Sequence, residues 1–250
     1  MTALTIAGRE LRSLFLSPLA WSILAVVTAI CAWFFLAYVD LFLQIQPRLA
    51  ANPGGPGVSD IVVAPLFATA ATVLLLVTPL ITMRLVSEER RAQTLPLLLS
   101  APVSMSEIVL GKFLGALGFV YLMLALVGAM PLSLLAGGSI DIGLWAAGLL
   151  ALALVLSCFC SIGLYLSTLT AQPVVAAIST FGLLLLLWVL DITSSQLGEQ
   201  GVLHYLALSA HYQPLLRGIV DSADIAYFLL LTVTFLVLSI RRLDAERLPH

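Results

Sequence analysis

Long runs of apolar residues, separated by shorter polar segments, are the dominant pattern of the chain. Six runs are long enough to cross a membrane, because about 20 helical residues span a hydrocarbon core of about 30 Å. The runs lie at residues 19–43, 61–83, 107–136, 142–170, 173–190 and 224–240. Apolar and polar residues do not alternate within them, as they would in the strands of a membrane β-barrel. The pattern therefore predicts an all-α polytopic membrane protein, with six transmembrane helices in a single domain over residues 1–250.

Three segments outside the runs have patterns of their own. Residues 1–17 place apolar residues at helical spacing, which predicts an amphipathic elbow helix in the headgroup layer; a frayed tail is the alternative. The segment 44–60 is rich in Pro and Gly and is predicted to be a flexible external loop. Residues 191–223 are too polar to span a membrane but contain many apolar residues. We expect that segment to form short helices that rest on, or dip into, the outer leaflet.

The composition supports a membrane protein and excludes a soluble domain. Hydrophobic residues make up 61% of the chain, charged residues make up 10%, and the mean hydropathy is +1.13. A soluble domain carries about 25% charged residues. The net charge of −2 gives no indication of nucleic-acid binding. Cys31, Cys158 and Cys160 all lie inside predicted spans, where we interpret them as apolar packing residues and not as a disulfide framework.

The distribution of Lys and Arg predicts the orientation of the spans, because cytoplasmic loops are enriched in these residues. With a cytosolic N-terminus, only Arg48 and Arg217 of the 11 fall on the outer side. The others are Arg9, Arg12, Arg84, Arg90, Arg91, Lys112, Arg241, Arg242 and Arg247. We therefore expect both termini in the cytosol. The first run is too long for the core of a signal peptide and is expected to remain as an anchor.

A charged hairpin over residues 84–104 joins the second and third runs on the inner side. Arg84, Glu88 and Arg91 stand at i, i+4 and i+7 and would share one face of a helix. Thr94 can cap a new short helix that follows it. Two interpretations remain open: the hairpin binds a cytosolic partner, or it is a solvated charge run that only enforces topology.

The third run begins with strong local signals. Ser104-Met105-Ser106-Glu107 fits the capping box, in which the Ser and Glu side chains satisfy backbone donors at the start of a helix. Gly111 and Gly115 follow at a spacing that permits another helix to approach closely. Lys112 lies between these glycines, and we interpret it as a cation that snorkels to the inner surface.

Two stretches resemble type-2 ABC (ATP-binding cassette) exporter permeases, most closely the gliding-motility-type branch, of which nitrous-oxide-reductase maturation permeases are relatives. The first stretch contains Met83-Arg84, Glu88-Glu89-Arg90-Arg91, Thr94-Leu95, Leu97-Leu98-Leu99, Pro102-Val103-Ser104, Glu107-Ile108 and Gly111-Lys112. The second, over residues 211–224, contains Arg217-Gly218 and Asp221. The chain departs from the family pattern at Pro96, where Glu is frequent, and at Gln93, where Gly often precedes the Thr. The first departure puts one acidic contact to a partner in doubt.

The resemblance implies an architecture and a set of partners. The elbow helix, a cytosolic coupling helix in the hairpin and short re-entrant helices before the last span would belong to one half of a dimer. The other half would be a second copy or a homologous permease, in a bacterial inner membrane. A cytosolic ABC ATPase would dock on the coupling helix and would bind ATP and Mg; an accessory protein outside or in the membrane is also compatible. The implied ATPase-coupling residues are Arg84, Glu88, Glu89, Arg90, Arg91, Thr94, Leu95, Leu97 and Leu98.

No catalytic, cofactor or metal residue is predicted on this chain. A phosphate-binding loop needs Ser or Thr after its Gly-Lys pair, and Phe113 stands there instead. His204 and His211 are seven residues apart and could bind a metal, but we favour a structural or surface role. Asp40, Asp191 and Asp224 lie near the ends of runs, where water can solvate a carboxylate, and not at mid-membrane, where a charge is costly.

The sequence therefore predicts a permease subunit and not an enzyme. One alternative is a mechanotransmission or scaffold subunit that uses the same ATPase but conducts no substrate. A membrane-embedded enzyme is the weaker alternative, because it would need reactive polar groups clustered at one depth. The pattern specifies neither the substrate nor the direction of transport.

Overall fold

A computed structural model describes residues 2–50, 57–94, 103–136, 140–197 and 205–247. Within these ranges the chain is helical and contains no strand. The α-helices are α1 Thr2–Leu16, α2 Pro18–Ala50, α3 Ala64–Thr82, α4 Ser87–Arg91, α5 Met105–Leu132, α6 Ile142–Leu169, α7 Pro173–Leu197, α8 Leu208–Leu216 and α9 Ser222–Arg247. A π-helical turn at Ser59–Val63 precedes α3, and a 3-10 turn at Ser133–Ala136 follows α5.

The six predicted transmembrane helices are confirmed, with boundaries that differ by a few residues. Within the described ranges, six segments are long and apolar enough to cross a membrane: Pro18–Pro47, Ser59–Arg91, Met105–Leu135, Ile142–Leu169, Pro173–Leu190 and Ser222–Glu246. The helix of the first span ends later than predicted, because α2 continues to Ala50 although a loop was predicted from residue 44. Gln44 Nε2 donates to Asp40 Oδ2 one turn earlier at 2.7 Å, and this pair supports the helix beyond the apolar run.

The centre of the bundle is α6, which contacts α3, α5, α7, α8 and α9. Its middle residues Leu152, Val155 and Phe159 have no exposed surface. Cys158 and Cys160, also on α6, are buried free thiols, as is Cys31 on α2, which confirms their interpretation as packing residues. Large apolar side chains on the outer helices are exposed, including Trp33, Ile178 and Leu230, as expected for surfaces that meet lipid.

The N-terminal segment is the predicted helix, and it packs across the start of α5. A Cβ atom added to Gly111 would lie 2.7 Å from Ile6 Cβ, and one added to Gly115 would lie 2.7 Å from Glu10 Cβ. Real Cβ contacts are never that short, so only glycine lets α1 come this close. The predicted close helix approach at these glycines is therefore confirmed, and α1 is the helix that uses it.

The polar segment before the last span inserts into the bundle instead of lying on its surface. Tyr212 of α8 has no exposed surface, and its hydroxyl donates to the carbonyl oxygen of Phe67 on α3 at 2.9 Å. Burial raises the pKa of the Tyr212 phenol, so the hydroxyl stays protonated as the donor of this bond. One of the expected short helices is present as α8, and its placement in the outer leaflet stays a prediction.

Asp224, at the start of α9, is not the solvated span-end carboxylate that the sequence indicated. It is 9% exposed, and its Oδ1 lies 2.7 Å from His211 Nδ1. The other ring nitrogen of His211 lies 3.0 Å from the carbonyl oxygen of Tyr205, and the ring stacks on Tyr227 at 4.1 Å between centroids. A buried carboxylate needs such a partner because desolvation disfavours its charged form. His211 therefore has a structural role here, as the sequence favoured.

Candidate functional site

Most of the chain's predicted site residues lie at the α4 end of the bundle, where a break separates α3 from α4. The Ser167 hydroxyl, near the end of α6, accepts the backbone N–H groups of Val86 and Ser87 at 3.1 and 3.0 Å. The same hydroxyl donates to the carbonyl oxygen of Met83 at 3.1 Å, and the Ser87 hydroxyl donates to that carbonyl as well. One buried side chain thus satisfies the backbone groups that the break would leave unpaired. The break is anchored to the central helix.

The prediction of one continuous helical face for Arg84, Glu88 and Arg91 is wrong in its local geometry. Residues 83–86 form a turn, in which the Met83 carbonyl oxygen and the Val86 N–H bond to the Ser167 hydroxyl. The three side chains nevertheless border the same surface groove, of about 470 Å³, together with Pro173. Glu88 and Arg91 are exposed, and none of the three forms an ion pair with another residue that the structure describes.

Lys112 is the centre of a buried charge cluster and is not the snorkelling cation that the sequence indicated. It is 1% exposed, and its Nζ lies 2.7 Å from Glu10 Oε1 and 2.7 Å from Glu89 Oε1. Because Glu10 is on α1 and Glu89 is on α4, the ammonium joins three helices. Two carboxylates offset the cost of burying the cation, and removing one partner of a buried pair costs about 3–5 kcal/mol.

Arg9 completes the charge balance of this cluster. Its guanidinium lies 3.7 Å from Glu10 Oε1 and 3.9 Å from Glu89 Oε1. Two cations therefore face two carboxylates. The Arg9 side chain is 62% exposed, so its contribution to stability is small, as it is for most surface ion pairs.

Arg90 ties the same short helix to the last span. Its Nη2 donates to both carboxylate oxygens of Glu246 on α9, at 2.7 and 2.8 Å. Arg242, one turn earlier on α9, lies 3.5 Å from the same carboxylate. Charge-assisted bonds of this kind are stronger than neutral ones. The hairpin is thus fixed to α1, α5, α6 and α9 through neighbouring residues of one short helix.

The end of α4 shows what the departure from the family pattern at Gln93 means for the backbone. Gln93 has a φ of 59°, a left-handed conformation that glycine adopts without strain and other residues rarely do. The family's frequent glycine suits this position better than Gln. Next to it, the Thr94 N–H and hydroxyl both bond to the carbonyl oxygen of Glu89, at 3.0 and 3.2 Å. Thr94 therefore closes the helix before it; the helix that it was predicted to start lies outside the described residues.

Thr94 closes α4, and the other eight predicted coupling residues fall into three groups. Glu89 and Arg90 point into the bundle, whereas Arg84, Glu88 and Arg91 border the groove. Leu95, Leu97 and Leu98 lie outside the described residues. Sequence reasoning missed Glu10, Glu246 and Ser167, and gave Lys112 the wrong role. Glu10 and Glu246 could have been found as acidic residues on the predicted inner side, because the nine cations there need acidic partners.

The described side chains at the α4 end of the molecule form ion pairs and border a charged groove. Among the described residues, no group of three or more His, Cys, Asp or Glu side chains is placed to hold a metal ion. Three helices converge on one ammonium instead, beside an outward-facing charged groove.

Comparison with known families agrees with the architecture. The family model described as ABC-2 family transporter protein matches residues 4–248, which is nearly the whole chain. No curated protein matches the chain. With six spans of the required length and a family match over its entire transmembrane region, the chain belongs to the ABC-2 transporter family and is a membrane permease subunit of an ABC transporter.

Proposed function

We propose that this permease works with a separate cytosolic ABC ATPase, and that α4 passes the movement of that ATPase to the spans. The observation that carries the proposal is the bond between Glu89 and the buried Lys112 at 2.7 Å. It links a helix on the surface of the bundle to the third span and, through Glu10, to the elbow helix.

Adjacent residues of α4 have opposite orientations, which suits a part that receives and transmits force. Glu88 and Arg91 are exposed and three residues apart, so they lie on one side of the helix. Glu89 and Arg90 bind Lys112 and Glu246 inside. A displacement applied to the outer side would therefore reach α5 and α9 through short charged contacts, since packed helices move as rigid elements.

The finer features follow from the family resemblance and the charge distribution. We propose a bacterial inner membrane, both termini in the cytosol, ATP and Mg on the ATPase, and a dimer with a second permease. The placement in the gliding-motility-type branch belongs to the same proposal. A mechanotransmission subunit that conducts no substrate would use the same contacts and remains the alternative.

Co-purification tests the ATPase partner. The tagged full-length chain is extracted from its native membranes in mild detergent, and the eluate is examined for a nucleotide-binding polypeptide and for ATP hydrolysis. We expect both with the unaltered chain. The double variant Glu88→Ala with Arg91→Ala should lose the ATPase and keep its melting temperature, because both side chains are exposed.

The matched control is Arg217→Ala, an exposed arginine after α8 at the other end of the bundle. It should retain the ATPase. Failure of any ATPase to accompany the unaltered chain would refute the proposal. Retention by the Glu88/Arg91 double variant would remove those residues from the contact.

A further inference from the structure

A cavity of about 490 Å³ lies beside the Lys112 cluster, between α1, the start of α2, the end of α3, the first turn of α4 and one side of α5. Small-molecule sites in proteins typically have about 300–1,000 Å³. It is half open, and it is lined by charged side chains at one end and apolar ones at the other. The coupling contacts described above use only part of its polar wall.

The polar wall offers one unused acceptor and one unused cation. Glu89 Oε1 binds Lys112, but Glu89 Oε2 is buried without a hydrogen-bond partner among the described residues. Buried polar atoms are normally paired, so this oxygen marks a place for a donor. Arg84 borders the same cavity and forms no ion pair within the described ranges, and Glu88 stands beside it with an exposed carboxylate.

The apolar wall continues along the spans. Leu19 and Ile23 of α2 and Leu80 of α3 line it. Leu19 and Leu80 are 40% and 42% exposed although they belong to predicted membrane helices. This side of the cavity therefore opens toward hydrocarbon, and its charged end lies where the spans finish. A ligand that fills both ends has a polar head and an apolar chain.

The charged side chains of the polar wall indicate which kind of ligand head group fits the cavity. Three cations, Arg9, Arg84 and Lys112, face three carboxylates, Glu10, Glu88 and Glu89. A balanced wall suits a zwitterion better than an anion, because an anionic head would leave the acidic oxygens without a donor. The unused Arg84 fits a phosphate, and Glu88 with Glu89 Oε2 fits a primary ammonium.

We propose that this cavity binds a phospholipid whose head carries a phosphate and a primary ammonium, as phosphoethanolamine does. Arg84 binds the phosphate, Glu88 and Glu89 Oε2 accept from the ammonium, and the first part of an acyl chain lies along Leu19 and Leu80. The site then joins the inner leaflet to the carboxylate that holds Lys112. This proposal requires that the spans cross a membrane. It shares Glu88 with the proposed ATPase contact, but it is tested on the permease alone, so its failure and that of the ATPase proposal are distinguishable.

Native mass spectrometry of the delipidated full-length chain tests it. The chain is titrated with phosphatidylethanolamine and phosphatidylglycerol that have identical acyl chains. We expect the first phosphatidylethanolamine to bind about tenfold more tightly, the effect of about one charged hydrogen bond. Glu88→Gln should reduce that preference and leave phosphatidylglycerol binding unchanged. Arg84→Gln should weaken both lipids.

Arg12→Gln is the control, since Arg12 is an exposed arginine of α1 that does not line the cavity. It should bind both lipids as the unaltered chain does. Equal affinity of the unaltered chain for the two lipids would overturn the proposal, and so would Arg84→Gln and Arg12→Gln behaving alike. Soluble phosphoethanolamine should compete only weakly; binding as tight as that of the lipid would assign the site to a free metabolite instead.

Should Arg84→Gln lower the melting temperature, the lipid preference of the unaltered chain and its loss in Glu88→Gln still decide the outcome. A chain that is dimeric at every dilution and takes up neither lipid would show that a second copy covers the cavity, and would also overturn the proposal.

Discussion

Glu89 and Lys112 are 23 residues apart in the chain and lie on different helices, yet their charged atoms are 2.7 Å apart. The contact crosses from the hairpin helix α4 to the third span α5. Lys112 is 1% exposed, so water does not compete for the ammonium. The hairpin is therefore a bonded part of the bundle and not a loop that only carries charge.

Removing the ammonium should destabilise the protein strongly. Lys112→Met leaves Glu10 and Glu89 with only the exposed Arg9 as a common cation, at a cost of about 3–5 kcal/mol. The melting temperature in detergent, followed by circular dichroism, measures the loss. Arg91→Met removes an exposed cation of α4, the helix that carries Glu89, and should change the melting temperature little. Equal melting temperatures for the two variants would contradict the buried cluster.

A glycine at the left-handed position should stabilise the end of α4. Gln93 has a φ of 59°, so Gln93→Gly removes backbone strain of about 1 kcal/mol. Ala92 has a φ of −78°, an ordinary conformation in which Ala92→Gly only adds freedom to the unfolded chain. The change in the free energy of unfolding, measured by urea-induced loss of helicity, should have opposite signs for the two variants. The same sign in both would argue against the left-handed turn.

Adding a methyl group where α1 crosses α5 should separate the two helices. The Cβ of Gly111→Ala would lie 2.7 Å from Ile6 Cβ and 2.9 Å from the carbonyl oxygen of Ala3, which costs about 1–3 kcal/mol. Gly8, on α1 itself, has open space around it, and Gly8→Ala should be neutral or stabilising. Thermal unfolding measures both. A neutral Gly111→Ala variant would show that α1 does not pack at this distance.

The hydrogen-bonded pair of His211 and Asp224, at the opposite end of the bundle, should also contribute to stability. Asp224→Asn removes the charge that His211 Nδ1 faces at 2.7 Å, with an expected loss of about 1–3 kcal/mol. Asp244→Asn, an exposed acid of the same helix, is the control and should have no effect. The two melting temperatures should therefore differ by several degrees; if they coincide, the pair does not hold α8 in place.

Local signals in the sequence predict most of the fold. Apolar length alone defines the six spans, and the capping box is present, with the Glu107 N–H bonded to the Ser104 hydroxyl at 3.3 Å. The pairing of Lys112 could not be predicted, because Glu10 is 102 residues away and nothing local relates the two. The isolated pattern of a lysine at the end of a span fits snorkelling equally well.

Local signals in the sequence could not predict the break between α3 and α4 either. Its donors bond to Ser167, 80 and 81 residues further along the chain. A serine near the end of an apolar helix is common, and only the packing of α6 against α3 gives it this role. Gly163, one turn earlier, permits that packing, because a Cβ there would overlap the Thr82 side chain.

Photo-crosslinking in native membranes tests the central claim most directly, with benzoylphenylalanine in place of Glu88 in one variant and in place of Arg217 in another. We expect illumination to join the first variant covalently to a separate polypeptide that binds ATP, because Glu88 faces outward on α4. The second variant should give no such adduct. An absence of the adduct from position 88, or its appearance only from position 217, would contradict the account.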